Sequence, residues 1–350
     1  MKPRLLLAVS CSLSLCGSGF GVAEDKSQIE RVRSAIARAL PLLEAGSAGS
    51  AEKKKCFTCH NQALPIVALA EARQRGFELD VDNLNRQLRH TEEHLKRGTK
   101  NYLEGRGQGG KVITAGYALW ALEAGDFEAD KTTAAVASFL LQYQKDKNRW
   151  SHPGQRPPSS GSDFTTTYVA LRGLKTYGTD EQSEQVSSRI AQVRSWLLET
   201  TPDHTEDRVF RFRSLSYIDA EKATIQAGVT ELVESQHDDG GWAQTGDMSS
   251  DAYATATVLV ALLSDGDVTP DHASIQRGVQ FLLKNQKDDG SWHVVTRAKG
   301  FQTYYESGFP HGKDQFISMA ASSWATIALL LTLPESIDGK TAGDAEAIGP

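Results

Sequence analysis

Apolar residues recur along most of this chain at three- and four-residue spacing, the period of one helix face, and the periodic stretches come in pairs. The pattern predicts first helices at residues 27–44, 83–102, 130–144, 182–199, 220–235 and 271–285. It predicts second helices at 61–75, 111–124, 163–177, 206–217, 251–264 and 315–332. The first set carries charge, as in Arg86, Arg89, Glu92, Glu93, Lys96 and Arg97. The second is richer in small and apolar residues, as in Tyr253-Ala254-Thr255-Ala256-Thr257-Val258. A helix apolar all round is buried, and one with a charged face meets solvent. The pairs therefore read as six helical hairpins of an all-α fold, with an inner and an outer ring.

A repeat punctuates the hairpins. Gln236-His237-Asp238-Asp239-Gly240-Gly241-Trp242 recurs 50 residues later as Gln286-Lys287-Asp288-Asp289-Gly290-Ser291-Trp292, and a weaker copy runs from Gln144 to Trp150. Each follows a first helix and precedes a second helix holding an Ala-Leu pair, at Ala170-Leu171, Ala261-Leu262 and Ala328-Leu329. A Gln can bond the orphan groups at a helix end, and a Trp can pack over the neighbouring hairpin. The repeat is thus expected to staple the ring, with the Asp-Gly pairs serving as turn residues rather than catalytic ones.

Gln-x-x-Asp-Gly-x-Trp after an outer helix resembles the QW motif of the squalene cyclase and prenyltransferase superfamily, most specifically over Glu231–Leu333. That resemblance implies an α/α toroid. The string from Tyr304 to Gln315, with the cysteine motif described next, is similar to a bacterial subgroup of exported, haem-bearing, cyclase-like proteins. The parent activities are not carried over. The nearest approach to the cyclases' Asp-x-Asp-Asp acid motif is Asp80-Val81-Asp82-Asn83, which lacks the last Asp. The prenyltransferases' zinc site needs a Cys that this chain has already committed.

Those cysteines lie in Cys56-Phe57-Thr58-Cys59-His60, the C-x-x-C-H pattern in which two thiols form thioethers to a haem and the histidine ligates its iron. A zinc half-site would call for further Cys or His at knuckle spacing, and a redox disulfide for a βαβ context. The expected cofactor is one covalent haem c, with Cys56, Cys59 and His60 as its site. Residues 1–23 read as a secretory signal, with Lys2 and Arg4 before the apolar run Leu5-Leu6-Leu7-Ala8-Val9. Removing it takes away Cys11 and Cys16 and leaves 36 basic residues against 44 acidic ones, a net charge of −8. That balance argues against nucleic-acid binding, and no integral membrane segment is expected after signal removal. A periplasmic toroid domain is expected over 24–333, with a disordered tail over 334–350.

In each hairpin the loop from first to second helix falls on one rim, which the haem motif should share with the QW loops and with the long loops Tyr102–Gly110, Ser151–Ser162 and His293–Asp314. The last is a natural cover for the haem. It offers His311 as the first candidate for the distal iron ligand and His293 as the second; Met248 and Met319 read as packing residues. His90, His94, His152, His204, His237 and His272 have weaker positions, and His90 and His94 read as part of an exposed outer helix. Lys53, Lys54 and Lys55 would neutralise propionates or form a solvated charge run. Tyr304, Tyr305 and Glu306 would line the mouth or simply pack the loop. Three functions remain open. The first is electron transfer with a redox partner protein, coupled to an apolar small molecule in the toroid cavity. The second is a haem oxidoreductase or cyclase-like enzyme with an unrecognised acid, acting on a terpenoid-like substrate. The third is an interaction scaffold with a structural haem.

Overall fold

The computed structural model describes residues 19–152, 154, 156–300 and 303–334. The expected export signal up to residue 18 and the expected tail beyond Pro334 lie outside the described residues. Twelve α-helices follow one another. They are α1 (Gly19–Lys53), α2 (Leu64–Gln74), α3 (Val81–Leu103), α4 (Lys111–Ala124), α5 (Lys131–Gln142) and α6 (Asp163–Tyr177), then α7 (Ser183–Glu199), α8 (Thr205–Tyr217), α9 (Lys222–Glu234), α10 (Ala252–Asp265), α11 (Ala273–Asn285) and α12 (Gln315–Leu331). Among the described residues there is no β-strand.

The even-numbered helices pack on one another in chain order, and α12 returns to α2 to close the ring. The odd-numbered helices lie outside them, each against the two inner helices that flank it in the ring. This is an α/α toroid of six hairpins. The apolar pattern explains which helix goes where: every residue of α10 from Ala252 to Leu262 is buried, whereas α9 buries only Val229 and Leu232.

The expected boundaries hold to within three residues everywhere but in α1, where the helix expected over 27–44 runs from Gly19, inside the segment expected to be the signal, to Lys53. The segment Ala45-Gly46-Ser47-Ala48-Gly49-Ser50 reads as a poor helix former. It is helical because its small residues admit a close neighbour. A Cβ on Gly49 would sit 2.2 Å from the Ser307 carbonyl oxygen, and one on Gly46 would touch Met319 and Phe309.

The QW repeats do staple the ring, and their tryptophans pack on the neighbouring hairpin as expected: Arg189 of α7 lies over the Trp150 ring at 4.2 Å, and Trp242 lies against Gly278 of α11. The indole N–H groups of Trp150, Trp242 and Trp292 donate to the carbonyls of Leu140, Leu232 and Leu282, at 2.9, 2.8 and 2.8 Å, and so bind the loop to the last turn of an outer helix. Two of the glutamines reach the next hairpin as well, while the Gln144 side chain bonds Ser151 in its own loop. Gln236 Nε2 donates to Ser274 O of α11 at 2.9 Å, and Gln286 Nε2 to Ala35 O of α1 at 2.8 Å, the latter joining the chain's two ends. The indole N–H turns back to its own helix, while the longer, flexible amides of Gln236 and Gln286 span the gap.

One end of the lumen is closed by aromatic rings. Trp120, Tyr168, Phe210 and Trp324, from four inner helices, form a closed circuit with centroid separations of 5.8, 5.4, 6.3 and 5.7 Å. The Arg213 guanidinium lies 4.7 to 5.8 Å from all four centroids and is paired with Asp265 at 2.8 Å. Burial works against the charge on Arg213, and the Asp265 carboxylate and Tyr168 outweigh it.

Candidate functional site

The cysteine motif occupies the turn between α1 and α2. Thr58 takes an extended backbone and accepts the N–H of Asn61 on its side chain, so it caps a single π-helical turn, Cys59–Ala63, that runs into α2. Gln62 Oε1 accepts from both the N–H and the hydroxyl of Thr58, at 2.9 and 2.7 Å, and locks that cap. Cys56 is exposed, Cys59 is half-buried, and both are free thiols. The Cys59 Sγ faces the Ile113 carbonyl at 4.0 Å, and burial pushes its thiol up to about 12.

One stripe of α3 grips the backbone of this turn. Arg97 donates to Lys55 O at 2.5 Å, His90 Nε2 lies 3.4 Å from Cys56 O, and His94 Nδ1 accepts the N–H of Phe57 at 3.3 Å. Spacings of four and three place these residues on one helix face. The i, i+4 histidine pair is therefore a clasp on the motif rather than part of a solvated outer face. His94 is buried, and burial followed by the charge of Arg97 brings it down to about 4.

Across the turn lie the C-terminal end of α1 and the loop before α12. Asn61 Nδ2 donates to Ser50 Oγ and to the Tyr305 hydroxyl, and Lys54 sits over the Tyr305 ring. Phe316 packs between Tyr305 and His60, with centroids 5.4 and 5.0 Å away. Tyr305 thus brings the long loop against the turn that carries the motif. His60 is half-buried, and its ring nitrogens have no hydrogen bond among the described residues. Burial first and the Arg156 guanidinium second bring it down to about 4.

The two expected distal ligands stand elsewhere in that loop. His311 has left-handed backbone (φ 82°), its Nε2 lies 2.6 Å from Ser291 Oγ, and its ring stacks on His293 at 4.5 Å. His293 in turn holds Asp314 at 2.8 Å. In this arrangement both histidines brace the QW turn of the sixth hairpin. Of the remaining histidines, His272 Nδ1 caps α11, His237 meets Ser250 and His204 precedes α8, while His152 lies beside Arg156, whose charge also acts on Cys59 and His60. No group of three metal-ligating side chains forms among the described residues.

Sequence patterns did not single out the titratable group at the start of α8. Glu206 is buried, and its Oε1 accepts the Thr165 hydroxyl at 2.6 Å. Its Oε2, like the hydroxyls of Tyr117 on α4 and Tyr253 on α10, has no close hydrogen bond among the described residues, although Tyr253 lies near enough to the carboxyl to favour its charged form. Burial raises the carboxyl to about 7 against the pull of Thr165 and Tyr253. Tyr117 feels the charges of both Glu206 and Cys59, which puts this cluster beneath the cysteine motif on the same rim. An acid in the first turn of a helix reads as a complement to the helix dipole, so the sequence alone gave no reason to single it out.

Comparison with known proteins comes down on the scaffold. A family model described as the squalene-hopene cyclase C-terminal domain matches residues 207–326. A variant of the type II terpene cyclase MstE from Scytonema, in complex with merosterolic acid A, superposes with a TM-score of 0.57 at 11% identity, covering 88% of this chain and 99% of that one. The fold is the terpene-cyclase toroid. A second MstE variant, bound to geranylgeranyl dihydroxybenzoate, gives 0.52 at 10% identity over 88% of this chain and 100% of that one. A protein from Actinoplanes gives 0.56 at 14% over 86% and 99%. No curated protein sequence matches. No helix among the described residues is long and apolar enough to cross a membrane.

Proposed function

We propose that this chain is an exported monohaem protein of c type, in which a cyclase-like toroid carries haem c on Cys56, Cys59 and His60. Its task on this reading is one-electron exchange with a redox partner protein, linked to an apolar molecule in the lumen. The observation that carries the reading is the condition of the motif. Two free thiols and an imidazole with no hydrogen bond among the described residues lie on one turn whose backbone is fixed by His90, His94 and Arg97. These residues fit the group: a haem bound there supplies one-electron chemistry at an iron ligated by His60. Arg156, whose charge acts on both Cys59 and His60, and the run Lys53–Lys55 support the propionates.

The test is a visible spectrum, oxidised and reduced, of protein matured in a host with haem-attachment machinery. Haem should survive denaturing extraction in the wild type and be lost from it in Cys56→Ala with Cys59→Ala. Wild-type protein without covalent haem would overturn the proposal.

A second reading, an enzyme acting on an apolar substrate, is favoured by the cyclase similarity and by the buried Glu206, whose carboxyl burial raises to about 7. Carbon monoxide separates the two. A haem that ignores it has two protein ligands and suits electron transfer, whereas ready binding puts the enzyme first.

A further inference from the structure

We infer that His152, on the long loop of the third hairpin, is the protein ligand opposite His60 on the iron of a haem attached at Cys56 and Cys59. That role rests on the haem reading of the proposed function and completes its coordination.

Two residues place His152 at the motif. The first is Gly110, the N-cap of α4, whose carbonyl acts on the His152 ring. Cys59 Sγ faces the Ile113 carbonyl, three residues further on, at 4.0 Å. Three residues span about 4.5 Å along a helix axis. The thiol and the imidazole therefore meet the same turn of α4. The second residue is Arg156, in the same loop as His152, whose guanidinium acts on His152, Cys59 and His60 alike. The loop before α6 thus reaches past α4, from the third hairpin to the first.

The state of the ring fits a ligand. His152 Nδ1 is buried and has no hydrogen-bond partner among the described residues, a cost that a bound partner removes. A ligating imidazole gives one ring nitrogen to the metal and rests the other on a carbonyl, carboxylate or water, which fixes its tautomer and direction. The Gly110 carbonyl is such a support. Gly154 lets the ring lie back over its own loop, because a Cβ there would stand 2.5 Å from His152 Nε2.

The other candidates are engaged or distant. His94 Nδ1 accepts the N–H of Phe57, so its own unpartnered Nε2 carries the proton and is closed to a metal. His90 is held on the Cys56 carbonyl, and no ring nitrogen of His90 is stranded in the interior as His152 Nδ1 is. His293 and His311 brace the sixth hairpin, and the remaining three histidines lie in hairpins four to six. Of the two described methionines, Met319 is buried against Gly46 and Met248 sits in the turn of the fifth hairpin.

The experiment is visible and electron paramagnetic resonance spectroscopy of the haem-matured full chain, with and without carbon monoxide. Wild type should be low-spin when oxidised and should ignore carbon monoxide. His152→Ala should turn high-spin and bind carbon monoxide readily, and added imidazole should restore the low-spin spectrum, which a misfolded site would not permit. His152→Met, which supplies a ligand of another kind, should stay six-coordinate with a raised reduction potential. Should His152→Ala lose its haem, the potential of His152→Met decides alone, and an unchanged potential would overturn the inference. His311→Ala should match wild type. A low-spin spectrum that survives His152→Ala, or that is lost in His90→Ala or His311→Ala instead, would overturn the inference, as would a wild type that binds carbon monoxide. Each of those outcomes leaves the covalent haem in place, whereas protein without covalent haem would overturn the proposed function as well.

Discussion

Asn61 Nδ2 donates to the Tyr305 hydroxyl at 3.1 Å, joining the turn that carries the cysteine motif to a loop 244 residues away. Asn61 follows His60 directly, so this bond ties down the backbone beside the imidazole. Tyr305→Phe removes the hydroxyl while leaving the ring on Phe316, and should cost about 1 kcal/mol. Hydrogen exchange is expected to quicken at residues 59–63 more than elsewhere; a uniform change would show that the bond does not govern the turn.

Gly49→Ala should be far worse than an ordinary helix substitution. Ala is the better helix former, but its Cβ would meet the backbone oxygen of Ser307 at 2.2 Å, and backbone cannot step aside as a side chain can. A loss of about 1–3 kcal/mol is expected in urea unfolding. Unchanged or raised stability would mean that α1 does not run against the loop in this way.

Arg213 and Asp265 form a buried pair inside the aromatic circuit, and their side chains are 5% and 12% exposed. Arg213→Met alone should cost about 3–5 kcal/mol, because it strands a buried carboxylate. Arg213→Met with Asp265→Asn should recover most of that loss. Additive losses in the double variant would show that the charge pair is not what Arg213 contributes.

Stability should fall as pH rises past Glu206. Its folded value, about 7, lies above the ordinary 4.5, so the folded state favours the neutral carboxyl. That contribution is complete below pH 4.5 and is lost as pH climbs through 7, amounting to about 3 kcal/mol. Denaturant unfolding at pH 5 and pH 8 should show the decline in wild type and a flatter profile in Glu206→Gln. Parallel profiles would place Glu206 in contact with water.

Much of this architecture was legible because helical periodicity is a local property. The alternation of charged with apolar helices marks outer and inner positions, and the repeat from Gln236 to Trp242 and Gln286 to Trp292 marks the turns. The candidate site was legible only where chemistry is written in adjacent residues, at Cys56, Cys59 and His60. His90 and His94 looked like surface because their neighbours are charged, and only packing shows that they face the motif.

By itself, the sequence determined the six hairpins, their inner and outer assignment, and the place of the cysteine motif between the first two helices. Tertiary structure alone decided which residues meet across the ring: Tyr305 with Asn61, His311 with Ser291, and Glu206 with Tyr117 and Tyr253. The reason is physical. Periodicity and turn chemistry act over a few residues, whereas closing the ring brings together groups from far-apart stretches of chain, and no local pattern records which side chain will face a gap left open there.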